Sequence, residues 1–173
     1  VDGQVVKGTV FEIATVSDLL ALPGIVNGQK VTFDGCTVKL TSAVYDLNPS
    51  WTLGQDLPEG ANLWTPIGIH QDIVMFKGIF TGEYEPGKYA TIRGLYMSYS
   101  GDNASGFFGD FQGTARNLKF ENSYFNSSKM MLGTVTGRLC GGTNNEADKG
   151  SVYNIYVADS VQVVCTANSG VVG

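Results

Sequence analysis

The amino-acid sequence predicts an all-β protein, a solenoid of stacked parallel coils entered through a short N-terminal capping helix. Three observations lead there. A strand motif recurs at 91–97, 115–120 and 152–157, each time an apolar strand read through Arg/Tyr/Asn, Gly/Asn and Leu/Ile, and glycine-flanked apolar steps recur at 105–109, 132–135 and 169–173. The two series stretch together: Gly106 to Gly133 is 27 positions, while Gly133 to Gly170 and Asn117 to Asn154 are each 37. One copy of a repeating unit has therefore gained about ten residues, and a period in this range signals stacked supersecondary units. Composition agrees, since 23 glycines and 11% aromatic residues beside only 16% charged residues describe a turn-rich β chain.

Residues 1–30 read as the cap. Gly8 to Ile13 is a short apolar strand, and Thr15-Val16-Ser17-Asp18 has the form of a capping box opening a helix through Leu19, Leu20 and Leu22, which Pro23-Gly24 should end. Such a helix covers the apolar cross-section of the first coil and guards an open strand edge.

Residues 31–173 read as the coils, with loop excursions at 46–62 and 141–150. Segments 30–33 and 37–40 form two strands around an Asp34-Gly35 turn. The stretch 46–62, carrying Pro49, Gly54, Pro58 and Gly60, leaves the body, with Trp51 and Leu53 folding back. Strands resume over 64–68 and 74–80, residues 82–88 form a loop, and the repeats continue to the end. Like positions of successive coils should stack, so Leu95, Leu118 and Ile155 form one interior column and Ile92 and Val152 contribute to another. Asn117 and Asn154 suit corners, where asparagine tolerates a left-handed backbone and can stack its amide on the next coil.

A formal charge of -5 and scattered basic residues argue against nucleic acid, and no apolar run is long enough to span a bilayer as a helix. The chain opens at Val1 as a processed or excised sequence would. Cys36, Cys140 and Cys165 lack zinc spacing. Cys140 and Cys165 are about one coil apart, which leaves open either a disulfide or buried free thiols.

Carboxylates exist in number but not in pattern: Glu83 and Glu85 share a loop, Asp102 and Asp110 flank a glycine step, and Glu121 follows a strand. His70, the only histidine, reads as a solvated loop residue, and no nucleophile constellation surrounds it. Asn144, Asn145, Glu146 and Asp148 offer hard oxygen ligands without calcium-motif spacing, so a solvated loop is the default there. No catalytic residue, metal ligand or cofactor is read from the sequence. Tyr96, Tyr99, Tyr124, Phe125, Tyr153 and Tyr156 cluster in the repeats, and rings stacked outward would make a sugar-binding strip. Ile155 and Val157 point inward together, which places Tyr153 or Tyr156 outside as the candidate ligand-binding residues.

Taken in order, Phe11-Glu12-Ile13 before a capped helix, Val38-Lys39-Leu40-Thr41, Trp64-Thr65-Pro66-Ile67-Gly68, Phe76-Lys77-Gly78-Ile79-Phe80 and Ile92-Arg93-Gly94-Leu95 resemble the lead-in of bacterial surface proteins with GLUG-type repeats. Ser105-Gly106-Phe107-Phe108-Gly109 followed by Asn117-Leu118 resembles the repeat itself, and the likeness covers roughly residues 9 to 173. Two features depart from that pattern, Thr81 to Gly87 in place of an Asp-Gly-Asn-Gly turn and the length of the 46–62 excursion. The resemblance implies a single-stranded right-handed parallel β-helix on an exported, adhesin-like chain, with no catalytic residues. The function expected is a non-enzymatic extracellular module contacting a host surface, a glycan or a neighbouring subunit, as part of a longer chain or an assembly. The alternative is a glycan-binding or carbohydrate-active β-helix of the phage-tail or polysaccharide-lyase sort.

Overall fold

The computed structural model describes residues 5–70, 74–140, 149–168 and 170–172. Strand β1 (Val10–Ile13) leads into helix α1 (Val16–Pro23). The capping box forms as read: the Asp18 amide donates to Thr15 Oγ1 at 3.1 Å, and the Thr15 amide donates to Asp18 Oδ2 at 2.9 Å. Pro23-Gly24 does not end the helical path, because Gly24 keeps right-handed helical dihedrals and the chain widens into a π-helical turn, Gly24–Gly28. Proline removes an amide from the ladder, and a wider turn is one way to continue past it. Leu19, Leu22 and Val26 enter the core from this segment.

The remaining strands are β2 (Thr37–Leu40), β3 (Val44–Asp46), β4 (Ile79–Thr81), β5 (Glu83–Glu85), β6 (Lys88–Arg93), β7 (Tyr96–Ser98) and β8 (Ala104–Ser105). They continue as β9 (Phe108–Phe111), β10 (Thr114–Glu121), β11 (Ser123–Ser127), β12 (Met131–Leu132), β13 (Thr136–Leu139), β14 (Ser151–Val157), β15 (Val161–Cys165) and β16 (Val171–Val172).

These strands overturn the expected single-stranded right-handed β-helix. Eight of them form one curled, half-barrel sheet, ordered β1-β2-β4-β10-β6-β3 with β14 on β10 and β5 on β6, and the rest form three small sheets, β15-β11-β7, β16-β12-β8 and β13-β9. The order runs out along the chain and back instead of advancing one strand per turn. The cause lies in β10, which pairs with β4 through residues 114–116 and with β6 through residues 118–121. Asn117, at φ 60°, bends it between the two halves. The repeat spacing reported neighbours within a sheet, and a curled parallel sheet satisfies it as well as a stack of turns.

The interior columns are accordingly different from those expected. Leu118 does lie opposite Ile155, but its other neighbour is Ala90, not Leu95. Leu95 precedes β7 and accepts a hydrogen bond from the Tyr124 amide at 2.8 Å. Ile92 stands beside Phe120, whereas Val152 stands beside Ala115.

Three local expectations also change. Residues 30–33 are not a strand, since Lys30 and Phe33 have φ near +60° and Phe33 packs its ring on Phe11 and Phe76. Segments 64–68 and 74–78 contribute only isolated bridges, Ile67 to Phe108 and Phe76 to Phe111 among them. Within 82–88, β5 pairs antiparallel with β6 around Pro86-Gly87, where proline presets φ and Gly87 takes φ 72°.

The 46–62 excursion does fold back, though its first residue closes β3. Asn48 hydrogen-bonds both backbone groups of Asn62, and Asn122 accepts from the Leu53 amide at 2.8 Å while donating to Trp51 O at 3.0 Å. Trp51 is buried and meets Tyr96 edge-on.

Six phenylalanines, Phe76, Phe80, Phe107, Phe108, Phe111 and Phe120, interlock in the core with centroids 4.3–6.3 Å apart, and Trp64 stacks on Phe107 at 4.7 Å. At the far side, β14, β15 and β16 are edge strands without a charged residue, leaving Val157, Val171 and Val172 exposed.

Candidate functional site

The outer face of the large sheet gathers the polar side chains, and the bend in β10 decides which ones. A strand normally alternates faces. Asn117 and Asn154, both left-handed, interrupt that alternation, so residues three apart on β10 and β14 share the outward side. One outward column runs Glu12, Lys39, Thr81, Arg116, Tyr153, and a second, across the bend, runs Val44, Thr91, Lys119, Tyr156. Tyr153 and Tyr156 are both outside, 47% and 57% exposed, and each stands beside a cation.

Arg116 donates to the Tyr153 hydroxyl at 3.0 Å, and its Nε is buried without a hydrogen-bond partner. Between the columns runs an amide ladder: Asn154 Nδ2 donates to Asn117 Oδ1 at 2.7 Å, and Asn117 Nδ2 donates to Glu83 Oε2 at 3.2 Å. The β5–β6 hairpin stands as a wall on this face and encloses a groove of about 400 Å³ lined by Thr37, Lys39, Thr81, Glu83, Glu85 and Arg116, among others. Hydroxyls, cations and carboxylates converging beside exposed tyrosines match the few placed polar groups by which a site orients a polyhydroxylated ligand.

The other aromatic candidates are packed elsewhere. Tyr96 and Tyr124 lie 5.1 Å apart and half-buried beneath the Trp51 loop, and Phe125 is fully buried. Burial, with the Asp102 carboxylate nearby, pushes the half-buried Tyr99 phenol above its ordinary value.

Two carboxylates proved to be structural. Asp110 is fully buried on β9, with Oδ1 accepting from Arg138 Nε at 2.9 Å, Oδ2 accepting from the other Arg138 nitrogen, and His70 Nδ1 3.1 Å from Oδ2. Asp102 accepts from the amides of His70 and Asn103. His70 is thus half-buried and held, not a solvated loop residue. Among the described residues nothing else hydrogen-bonds its ring. The Asp110–Arg138 pair had a sequence signal: the two are 28 positions apart, the local repeat spacing.

Cys36, Cys140 and Cys165 are free thiols, which closes the disulfide alternative. Burial first, and the Asp110 charge second, push the Cys140 thiol above its ordinary value near 9, against a smaller opposing pull from Arg138. Alkylation of Cys140 at pH 8, followed by peptide mass mapping, should therefore be slower in the folded chain than in the urea-unfolded chain. A raised folded value also means that this thiol's contribution to stability is complete below pH 9 and is lost as pH climbs through the folded value.

Among the described residues no group of three His, Cys, Asp or Glu could hold a metal ion, and the calcium candidates at 144–146 and 148 lie outside the described residues, as does most of the 141–150 excursion. No described helix is long and apolar enough to cross a membrane. No protein-family model, no curated protein and no solved structure matches the chain.

Proposed function

We propose that this chain is a non-enzymatic extracellular module that binds glycan on the outer face of its large sheet. The observation that carries this reading is the pairing of an exposed tyrosine with a cation on each side of the Asn117–Asn154 ladder, with one of those cations, Arg116, also lining a groove. A pyranose offers a C–H face that packs on an aromatic ring and a rim of hydroxyls that hydrogen-bond to charged and hydroxylated side chains. Tyr156 supplies a ring largely free of internal packing, and Arg116, Lys39 and Thr81 supply donors. The resemblance to GLUG-repeat surface proteins is the ground for a location outside the cell. Glu83 and Glu85 do not act as a hydrolytic pair in this reading, because Glu83 is engaged by Asn117 and the Gly87 amide and Glu85 by Lys88.

A glycan array with the wild-type chain should give a saturable signal, and isothermal titration of the best probe should show at least about tenfold weaker binding for Tyr156→Ala, about 1.4 kcal/mol. The side chain is 57% exposed, so the variant should melt with the wild type. Absence of any saturable glycan signal, or binding unchanged in Tyr156→Ala, would sink the assignment.

A further inference from the structure

The geometry points to an acidic glycan, one bearing uronate carboxylates or sulfate esters, as the class of ligand for this face. The inference rests on the glycan reading and adds the sign of the ligand's charge. The chain as a whole is acidic, at -5, so a ligand chosen by net charge would be cationic. The local pairing says the opposite.

Of the two acids in the groove, one is neutralised by an ion pair and the other is held by neutral amides only. Glu85 holds Lys88 at 2.6 Å, and the two oxygens of Glu83 accept from the Gly87 amide at 3.0 Å and from Asn117 Nδ2 at 3.2 Å. The cations differ. Among the described residues neither Lys39 nor Lys119 forms an ion pair, and Arg116 has only the neutral Tyr153 hydroxyl. By contrast Arg93, on the same sheet, is matched to Asp46 at 2.7 Å, and Arg138 to the buried Asp110. Glu12 is the one acid in the column of Lys39 and Arg116, and it is exposed at the end away from Tyr153, outside the lining of the groove.

Three unpaired cations thus share one sheet face, two in one column and the third across a single bend. Among the described residues Glu12, Glu83 and Glu121 lie on that face without an ion pair too, but at the groove itself Lys39 and Arg116 outnumber the one unpaired acid, Glu83. A guanidinium presents a planar fork that matches a carboxylate or a sulfate, and it is weakly hydrated enough to pair when partly buried. Arg116 meets that description, since its Nε has no partner inside the protein. Lys39 and Lys119 would add point charges along an extended chain, in the way that successive anionic units meet successive cations. The Tyr153 hydroxyl fixes the orientation of the Arg116 head, and Tyr156 leaves a ring face for the sugar between charges.

The experiment is affinity electrophoresis and titration of the intact chain with polygalacturonate, chondroitin sulfate and the neutral glucan laminarin, at 50 and 200 mM NaCl. Expected are retardation by the two anionic polymers and not by laminarin, and affinity falling several-fold across that salt range. Lys39→Gln with Arg116→Gln should weaken the anionic polymers at least tenfold, and Arg116→Lys should restore part of that loss. Equal, salt-insensitive binding of laminarin would overturn this inference while leaving the glycan reading in place. Binding of none of the polymers, with a negative glycan array, would overturn both. Anionic binding untouched in the double Gln variant, with its melting unchanged, would overturn the assignment to this face. Should the double variant fail to fold, Lys119→Gln and Arg116→Lys singly carry the test: weaker anionic binding is expected of both, with salt dependence retained in the second, and unchanged affinity in both would overturn it.

Discussion

Leu118→Asp should eliminate the cooperative unfolding transition altogether, leaving a chain without fixed tertiary structure by near-ultraviolet circular dichroism. Leu118 is 1% exposed at the bend of β10, between Ala90 on one side and Ile155 on the other, and its Cδ2 reaches to within 2.7 Å of where a side chain on Gly82 would begin. Shortening it to alanine removes methyl groups and leaves a cavity, a loss of about 2–5 kcal/mol. Aspartate adds a carboxylate with no cation facing it, whose desolvation costs several kcal/mol more. The sum reaches the whole stability of an ordinary domain, about 5–15 kcal/mol. Leu118→Ala is the graded control and should lower the urea midpoint while keeping the slope. A cooperative melt in Leu118→Asp within a few degrees of wild type would contradict the placement of this residue.

That choice of residue survived a fold assignment that did not, and the reason is instructive. The strands at 37–40, 115–120 and 152–157, the capping box and the Asp34-Gly35 turn were legible because each depends on a few consecutive residues, whereas 30–33 and 64–68 did not form the strands expected of them. Parallel neighbours were legible too, because matched segments at a fixed spacing must lie side by side. Register was misread where two cues disagreed. Motif similarity aligned Arg93-Gly94-Leu95 with Arg116-Asn117-Leu118, a spacing of 23, whereas the glycine steps indicated 27. The structure follows the glycines. Gly94 faces Asn122, 28 positions on, donating its amide to Asn122 O at 3.0 Å, and both residues take positive φ. Two different corners, Gly94 with Asn122 and Asn117 with Asn154, share similar residues, so composition alone could not tell them apart.

Topology was beyond the sequence for a different reason. One strand long enough to pair with two others on the same side, as β10 does with β4 and β6, turns a one-strand-per-turn expectation into a sheet that doubles back. Whether a glycine or an asparagine sits at the bend does not announce this. The candidate site shows the same division. Alternation alone offered Tyr153 or Tyr156, and the left-handed Asn154 between them puts both outside. The neighbours that give those rings chemical meaning, Arg116 and Lys119, lie 37 positions upstream, the spacing that Asn117 and Asn154 already showed, but the bend that turns both pairs outward is a property of the fold. His70, on an irregular segment before β4, carried no periodic signal by which Asp110 could have been named its partner.

Gly109→Ala should be strongly destabilising, though less so than the aspartate at Leu118, and it tests the close approach of backbones that the glycine steps encode. A Cβ on Gly109 would stand 2.3 Å from Gly68 O and 3.0 Å from Ala104 O, both fixed backbone atoms, and side chains essentially never come so near. Relief requires moving the 67–68 segment away from β9, which breaks the bond from the Gly109 amide to Ile67 O at 2.9 Å and loosens Phe108, whose ring packs against Phe76, Phe80 and Phe111. Overpacking of a well-filled site costs about 1–3 kcal/mol, and a clash against main chain on one side and main chain on the other belongs at or above the top of that range. Gly24→Ala is the matched control: the same added methyl meets nothing within 4 Å, and the backbone there is right-handed helical. Alanine should be neutral at Gly24 or stabilise by about 0.4–1 kcal/mol, through the entropy of the unfolded chain. Urea unfolding of both variants gives the comparison directly. If Gly109→Ala were no less stable than Gly24→Ala, the 67–68 segment could not lie against β9, and the spacing of the glycine steps would need another cause.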